Sequence, residues 1–330
     1  MPTLIVMSLF SNMGFIYPVY TMFLLSRGMN MTNILTLESI LALGILLWEV
    51  PSSLLADRWG RKRMIVLARL LELVVAVPML WAHGFLAFAV IYFISGLGIA
   101  CQSGALEAYI YETLGERKDM TRRLGYIHAA QSAGVLSGSL IGGTIMAIYP
   151  AQGYVVCLSL AILAAVPALI TAMRLPADVP RAAQTHISLR TILRAGLRAF
   201  IRSGQVLVLF LLMFNLPGSV ETHYLWQPYL TGFGVPIAWF GLIAIGINLT
   251  GILGSLLASW LSQLQQHTVA PTTRQVVLAG GSLSLVFLGL VIFSQRAGWG
   301  ILALLGLFWL NAVLDPILIT QLNQHFPDEA

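Results

Sequence analysis

Charged residues are scarce in this sequence of 330 residues: only 9% are Asp, Glu, Lys or Arg, whereas 58% are hydrophobic. Soluble domains carry about 25% charged residues. So few charges cannot cover a water-exposed surface, which excludes an ordinary soluble globular protein. Lipid admits only helices and closed barrels, and the apolar runs are too uniform for barrel strands. The sequence therefore predicts an all-α integral membrane protein.

Cysteine and catalytic motifs are equally sparse. The two cysteines, Cys101 and Cys157, both lie in apolar runs and lack ligand spacing to each other, so we expect small buried hydrophobic side chains. The sequence contains neither H-E-x-x-H nor G-x-S-x-G, the motifs that would indicate a metalloprotease or a serine hydrolase. We therefore expect no enzymatic activity, no cofactor and no bound metal.

The hydrophobic residues form long runs separated by short polar loops. A membrane-spanning helix needs about 20 apolar residues, and ten runs meet that length with some tilt. These predicted spans are residues 4–25, 34–55, 64–81, 85–111, 124–149, 154–173, 205–229, 237–261, 276–294 and 299–320.

Lys and Arg are concentrated on one side of the predicted spans. Fifteen of the 18 lie in the loops 56–63, 115–123, 174–204 and 262–274, and the opposite loops hold Arg27 and Arg296. The positive-inside rule then predicts a multi-pass protein of the cell (inner or plasma) membrane with both termini in the cytoplasm. Basic residues distributed in this way also argue against nucleic-acid binding.

The longest polar stretch, residues 174–204, divides the predicted spans into two blocks. Within it Arg190, Arg194, Arg198 and Arg202 recur every four residues, opposite a face of Leu and Ile. This pattern predicts a basic amphipathic helix on anionic lipid headgroups of the inner leaflet. We therefore expect a six-helix bundle at 1–173, a linker at 174–204 and a four-helix bundle at 205–330.

The two blocks also resemble each other. A shift of 206 residues pairs Gly28 with Gly234 after spans one and seven, and a shift of 208 residues pairs Glu107 with Asp315. Transporters are often built from such repeated halves. A duplicated bundle of six helices would leave the second copy in this sequence two helices short.

The loop after span two reads SSLLADRWGRKR and resembles the signature of the major facilitator superfamily. Asp57, Gly60, Arg61 and Lys62 occupy the positions of the family pattern, with Ser53 in place of its leading glycine. Glycine permits a tight turn between helices. The resemblance implies a fold of two helical bundles, and it implies that these four residues form a conformational latch on the cytoplasmic side.

Span five carries glycines at every fourth position, Gly134, Gly138 and Gly142. The segment resembles a motif of proton-coupled exporters in the same superfamily, with Ser139 where the motif has proline. The resemblance implies a member similar to the drug/proton antiporters. Generic helix packing through small residues explains the same stripe, and that alternative stays open.

Charged side chains inside a membrane cost about 2.5–3.5 kcal/mol each and often mark function. Glu49, Arg69 and Glu72 are expected to form a structural cluster that neutralises its own charge. The resemblance implies that spans one, four, seven and ten line a central cavity. Candidates there for the substrate and proton pathway are Tyr17, Glu107, Glu221, Trp226, Gln227, Asn311 and Asp315.

The resemblance to the major facilitator superfamily implies a monomeric secondary active transporter that works by alternating access. The expected activity is proton-coupled efflux of a small amphiphilic or cationic solute, with protons as the coupling ion and membrane lipids as the surroundings. Two alternatives remain open. The protein could be an importer or facilitator of another small solute, or a truncated remnant of the family that transports nothing.

Overall fold

The computed structural model describes residues 1–113, 117–178, 220–265 and 273–325. Within its helices it describes only the backbone of residues 107, 111–113, 117–122, 220–224, 259, 261–265, 273–278 and 315–325. All regular structure in these four ranges is helical. This confirms the predicted all-α fold.

Eleven α-helices lie in the described ranges. They are α1 (Pro2–Ser11), α2 (Tyr20–Ser26), α3 (Met31–Trp59), α4 (Arg61–Met79), α5 (Phe85–Thr113), α6 (Arg117–Ile148), α7 (Gly153–Met173), α8 (Val220–Gly232), α9 (Phe240–Gln265), α10 (Thr273–Phe293) and α11 (Ala297–His325). Short 3₁₀ turns at Tyr17–Val19 and Ile237–Trp239 precede α2 and α9.

Six helical stretches in the described residues are long and apolar enough to cross a membrane. They are Met31–Trp59, Phe85–Ile110, Arg123–Ile148, Gly153–Met173, Ile237–Ala258 and Ala297–Leu314. Each coincides with one of the predicted spans. The predicted seventh span, 205–229, begins outside the described residues, and α8 covers its end.

The first predicted span is not one continuous helix, which corrects the sequence-based expectation. Helix α1 ends at Ser11, and regular helix resumes only at the 3₁₀ turn Tyr17–Val19 that leads into α2. Pro18 lacks an N–H for a helical hydrogen bond and favours the start of a helical segment. The Asn12 side chain donates to the Ser8 carbonyl (2.8 Å) and so satisfies one of the free carbonyls at the end of α1.

The described residues form two compact units: those up to residue 178 together with 237–242, and those of 220–236 together with the described part of 243–325. In the first unit α5 packs on α3 and α4, and α1 packs on α6 and α7. A core cluster around Met7, Met64, Ile65 and Tyr109 joins these helices. In the second unit α10 packs on α11.

Candidate functional site

The signature loop forms a tight corner between α3 and α4. Gly60 adopts a φ of 92° between Trp59 and Arg61, a backbone conformation that residues other than glycine rarely adopt. Arg61 also lines a cavity of about 120 Å³ together with Glu49 and Asp57. The loop therefore brings one arginine close to carboxylates on the C-terminal half of α3.

Asp178, which sequence reasoning missed, caps this corner. Its carboxylate accepts from the backbone N–H of Arg61 and from that of Lys62 (3.2 Å). These are unsatisfied donors of the first turn of α4, where the helix dipole also favours a negative charge. Asp178 and Arg61 are 117 positions apart in the sequence, so no local sequence pattern predicts the contact.

The residues before Asp178 are fixed as well. Leu175 is buried in the core cluster that contains Tyr109, and the Tyr109 hydroxyl donates to the Pro176 carbonyl (2.9 Å). Three contacts thus hold the chain after α7 against α4 and α5. The start of the predicted linker is therefore attached to the same corner as the signature loop.

The structure pairs two members of the predicted charge cluster and gives the third a different partner. Arg69 Nη1 lies 2.6 Å from Glu72 Oε2, one turn apart on α4, whereas Glu49 accepts a hydrogen bond from Ser103 on α5 (2.7 Å). Glu49 lies on the face of α3 that meets Ser103, and it lines a different cavity from Arg69. The hydroxyl of Ser103 therefore stabilises that carboxylate.

Arg69 and Glu72 line a cavity of about 260 Å³ at the break in the first span. The wall from α1 supplies Ser11 and Asn12, and α5 supplies Ser95, Gly98, Ile99 and Gln102. Arg69 is only 7% exposed. Its Nε has no hydrogen-bond partner among the described residues, and buried polar atoms normally have one in protein or water.

The glycine stripe of α6 lies against the opposite side of the same break. A Cβ on Gly138 would lie 2.8 Å from the Gly14 backbone nitrogen, and one on Gly134 or Gly142 would overlap the carbonyl oxygen of Leu9 or Phe15. Only glycine allows such close approach of two backbones. The stripe therefore accommodates the non-helical segment 12–16 in the first unit.

The other predicted pathway residues divide between the two units. Tyr17 is half-buried in the 3₁₀ turn of the first unit. In the second unit Trp226 and Gln227 on α8 are each 1% exposed, and Asn311 on α11 is 4% exposed. Neither amide atom of Asn311 has a partner among the described residues.

Three predicted carboxylates lie outside the described side chains. The backbone of Glu107 belongs to α5, that of Glu221 to α8 and that of Asp315 to α11. The arginines of the predicted amphipathic linker, Arg190 to Arg202, lie outside the described residues altogether. In the described residues no group of three His, Cys, Asp or Glu side chains could hold a metal ion.

Comparison with known proteins gives one family. The sequence matches the family model of the Major Facilitator Superfamily over residues 3–330. A search of curated proteins found no match.

Solved structures of transporters share the fold. The chain is similar to a crystal structure of a mutant of the nucleoside transporter NupG, with a TM-score of 0.76, 11% identity and coverage of 96% of this chain and 81% of that one. It is also similar to a D-xylose-proton symporter, with a TM-score of 0.73, 16% identity and coverage of 99% and 82%. At these identities the likeness concerns the fold alone.

Proposed function

We propose a transport mechanism for this chain on the premise that it belongs to the Major Facilitator Superfamily, whose model it matches nearly end to end. As a member, it is a multi-pass membrane protein and a secondary transporter of a small solute, and not an enzyme. Our proposal is that the transport is driven by protons and that it exports an amphiphilic or cationic solute.

The family match carries the proposal, and buried polar groups support it. Asn311 lies in an apolar, buried stretch of α11 that includes Leu310 and Leu314. An amide without a partner in such surroundings costs about 1–3 kcal/mol. Solute binding would offset that cost, because a hydroxyl, amine or carbonyl of the solute could bond the amide.

The proton would be carried by Glu107 or Asp315, which the internal repeat pairs on α5 and α11. An ionisable residue inside a span marks proton relays in pumps and transporters. One charge that crosses about 100 mV supplies about 2.3 kcal/mol, which sustains a concentration ratio of roughly fifty-fold. The D-xylose-proton symporter among the similar structures makes a proton the first coupling ion to test.

The test is flux in proteoliposomes that carry a pH gradient. The variants are Glu107→Gln and Asp315→Asn, with Glu49→Gln as a control because Glu49 is a membrane carboxylate that already has a partner in Ser103. We expect at least one of the two repeat-paired variants to lose gradient-driven flux while the control retains it. Unchanged flux in Glu107→Gln and in Asp315→Asn would overturn the proton assignment.

Export is favoured by the resemblance of the glycine stripe in α6 to the exporter motif. Ser139, however, replaces the motif's proline, and the stripe packs against the break in the first span, which explains the glycines without reference to direction. An importer or facilitator is therefore the second candidate. Accumulation of solute by everted vesicles supports export, and accumulation by right-side-out vesicles supports import.

A further inference from the structure

The cavity at the break in the first span combines a carboxylate, an arginine and free space in a membrane helix bundle. Its volume of about 260 Å³ is room for several waters, since one water occupies about 30 Å³ in the liquid. Hydroxyl and amide groups of Ser11, Asn12, Ser95 and Gln102 line it. A site this polar and roomy holds water.

The Arg69–Glu72 ion pair leaves hydrogen-bond donors of the guanidinium unused. A guanidinium has five N–H donors, and the described contact of Arg69 uses Nη1, while Nε has no described partner. The Glu72 side chain is 37% exposed, against 8% for Arg69. The carboxylate is therefore the more accessible group of the pair.

The carbonyl end of α1 opens on the same cavity. Helix α1 ends at Ser11, and both Ser11 and Asn12 line the cavity beside Arg69. The carbonyls of Ser8, Leu9 and Phe10 accept hydrogen bonds from Asn12 and Met13, but a carbonyl oxygen has two lone pairs, and the C-terminal end of a helix carries a partial negative charge that attracts cations. Two groups thus compete for Arg69: the carboxylate of Glu72 and the end of α1.

We propose that Glu72 is a proton-binding site that decides which of these two groups Arg69 contacts. A proton from cavity water binds a carboxylate oxygen of Glu72 and removes its charge. Arg69, which then lacks a counter-charge, turns to the carbonyl end of α1 at the break. Release of the proton to cavity water restores the ion pair, and no other bond changes.

Other charged groups do not interfere in the described part of the cavity. Arg69 and Glu72 are the charged residues among those that line it. Helices α3, α5 and α7 pack on α4, and their described charged or titratable side chains lie outside this lining: Glu38, Glu49, Asp57 and Arg58 on α3, Tyr92, Cys101 and Tyr109 on α5, and Tyr154 and Cys157 on α7. Titration of the cavity therefore falls on Glu72.

Infrared spectroscopy of the purified protein in nanodiscs tests proton binding without any solute. Acidification should produce a carboxylic-acid absorption in the wild type and in the control Glu49→Gln. We expect Glu72→Gln to lack one component of that absorption. If Glu72→Gln shows the same absorption as the wild type, Glu72 does not bind the proton and the proposal is overturned.

A cysteine at Ser11 tests whether protonation reaches the break. In a Cys101→Ala, Cys157→Ala background, we compare the thiol labelling rate of Ser11→Cys with that of Gln152→Cys, an exposed loop position that reports the ordinary rise of thiol reactivity with pH. The ratio should change several-fold with pH, and the change should disappear in Glu72→Gln. If the labelling ratio does not change with pH in the protein that retains Glu72, the proposed switch is overturned.

The double variant Arg69→Gln, Glu72→Gln covers the case in which Glu72→Gln alone does not fold, because it leaves no unpaired buried charge. It should fold and label independently of pH, whereas a pH dependence that persists in it would contradict the proposal. Neither experiment depends on solute, export direction or the roles of Glu107 and Asp315. Failure of proton-driven flux would therefore overturn the proposed function and leave the Glu72 site standing.

Discussion

Asp178 shows how one side chain joins distant parts of the sequence at the signature loop. The loop exposes the first N–H groups of α4, and the Asp178 carboxylate accepts from two of them. A Cβ on Gly60 would lie 2.9 Å from Asp178 Oδ1, so the glycine also leaves room for the cap. The turn and the capping carboxylate therefore depend on each other.

Asp178→Ala should destabilise the protein, because two backbone donors of α4 lose their acceptor. Loss of an N-cap side chain costs about 0.5–2 kcal/mol. Asp178→Asn keeps an acceptor oxygen and loses the charge–dipole attraction, which is worth about 0.3–1 kcal/mol. Thermal unfolding should rank wild type above Asn and Asn above Ala, with faster amide exchange of Arg61 and Lys62 in the Ala variant.

An unchanged exchange rate at Arg61 and Lys62 in Asp178→Ala would contradict this role for the carboxylate. Lower stability without faster exchange would place the effect elsewhere in the chain after α7.

At this scale the sequence predicts contacts that are local and misses those that are not. The i, i+3 spacing of Arg69 and Glu72 brings them together on one helix. Glu49 was assigned to the same cluster by its depth in the membrane, but depth does not specify which face of α3 it occupies. Its partner Ser103 and the partner of the α4 N-terminus, Asp178, depend on helix packing.

At the scale of elements, the first span and the glycine stripe form one structure. Apolar run length predicts that residues 4–25 cross the membrane, because it measures hydrophobicity. It does not measure backbone hydrogen bonding, so it misses the break after Ser11. Gly14 and Pro18 were the available signals. The stripe of α6 was predicted as a packing surface, and its contact with backbone explains why glycine recurs there.

Gly142→Ala should destabilise the first unit, because the new methyl group would overlap the Phe15 carbonyl oxygen at the break. Overpacking costs about 1–3 kcal/mol. Gly125→Ala is the matched control on the same helix, since a Cβ there meets nothing within 4 Å and alanine favours a helix over glycine by up to about 1 kcal/mol. Thermal unfolding of the purified protein should show a lower midpoint for Gly142→Ala alone.

Equal midpoints for Gly142→Ala and Gly125→Ala would show that the segment at 12–16 yields to a methyl group, and that the stripe does not require glycine for packing.

At the scale of the whole molecule, composition and charge carry most of the prediction. The scarcity of charge predicts a membrane protein, and the signature loop identifies the family, which the match over residues 3–330 confirms. Orientation rests on the asymmetry of Lys and Arg between the two sets of loops, and it stays a prediction. Substrate specificity depends on where a few side chains lie in space, which composition does not predict.

Cysteine labelling across α7 tests the orientation. Gln152 and Ala177 are exposed positions just beyond the two ends of this helix, whose 21 residues span about 30 Å at 1.5 Å per residue. Arg174 and the loop 56–63 share the end of the bundle with Ala177, so the positive-inside rule places that end in the cytoplasm. In intact cells that produce the Cys101→Ala, Cys157→Ala background, a membrane-impermeant thiol reagent should label Gln152→Cys and reach Ala177→Cys only after permeabilisation. The reverse pattern would place the basic loops outside the cell, together with the signature loop and the Asp178 cap. It would also reverse the expected direction of any proton-driven flux.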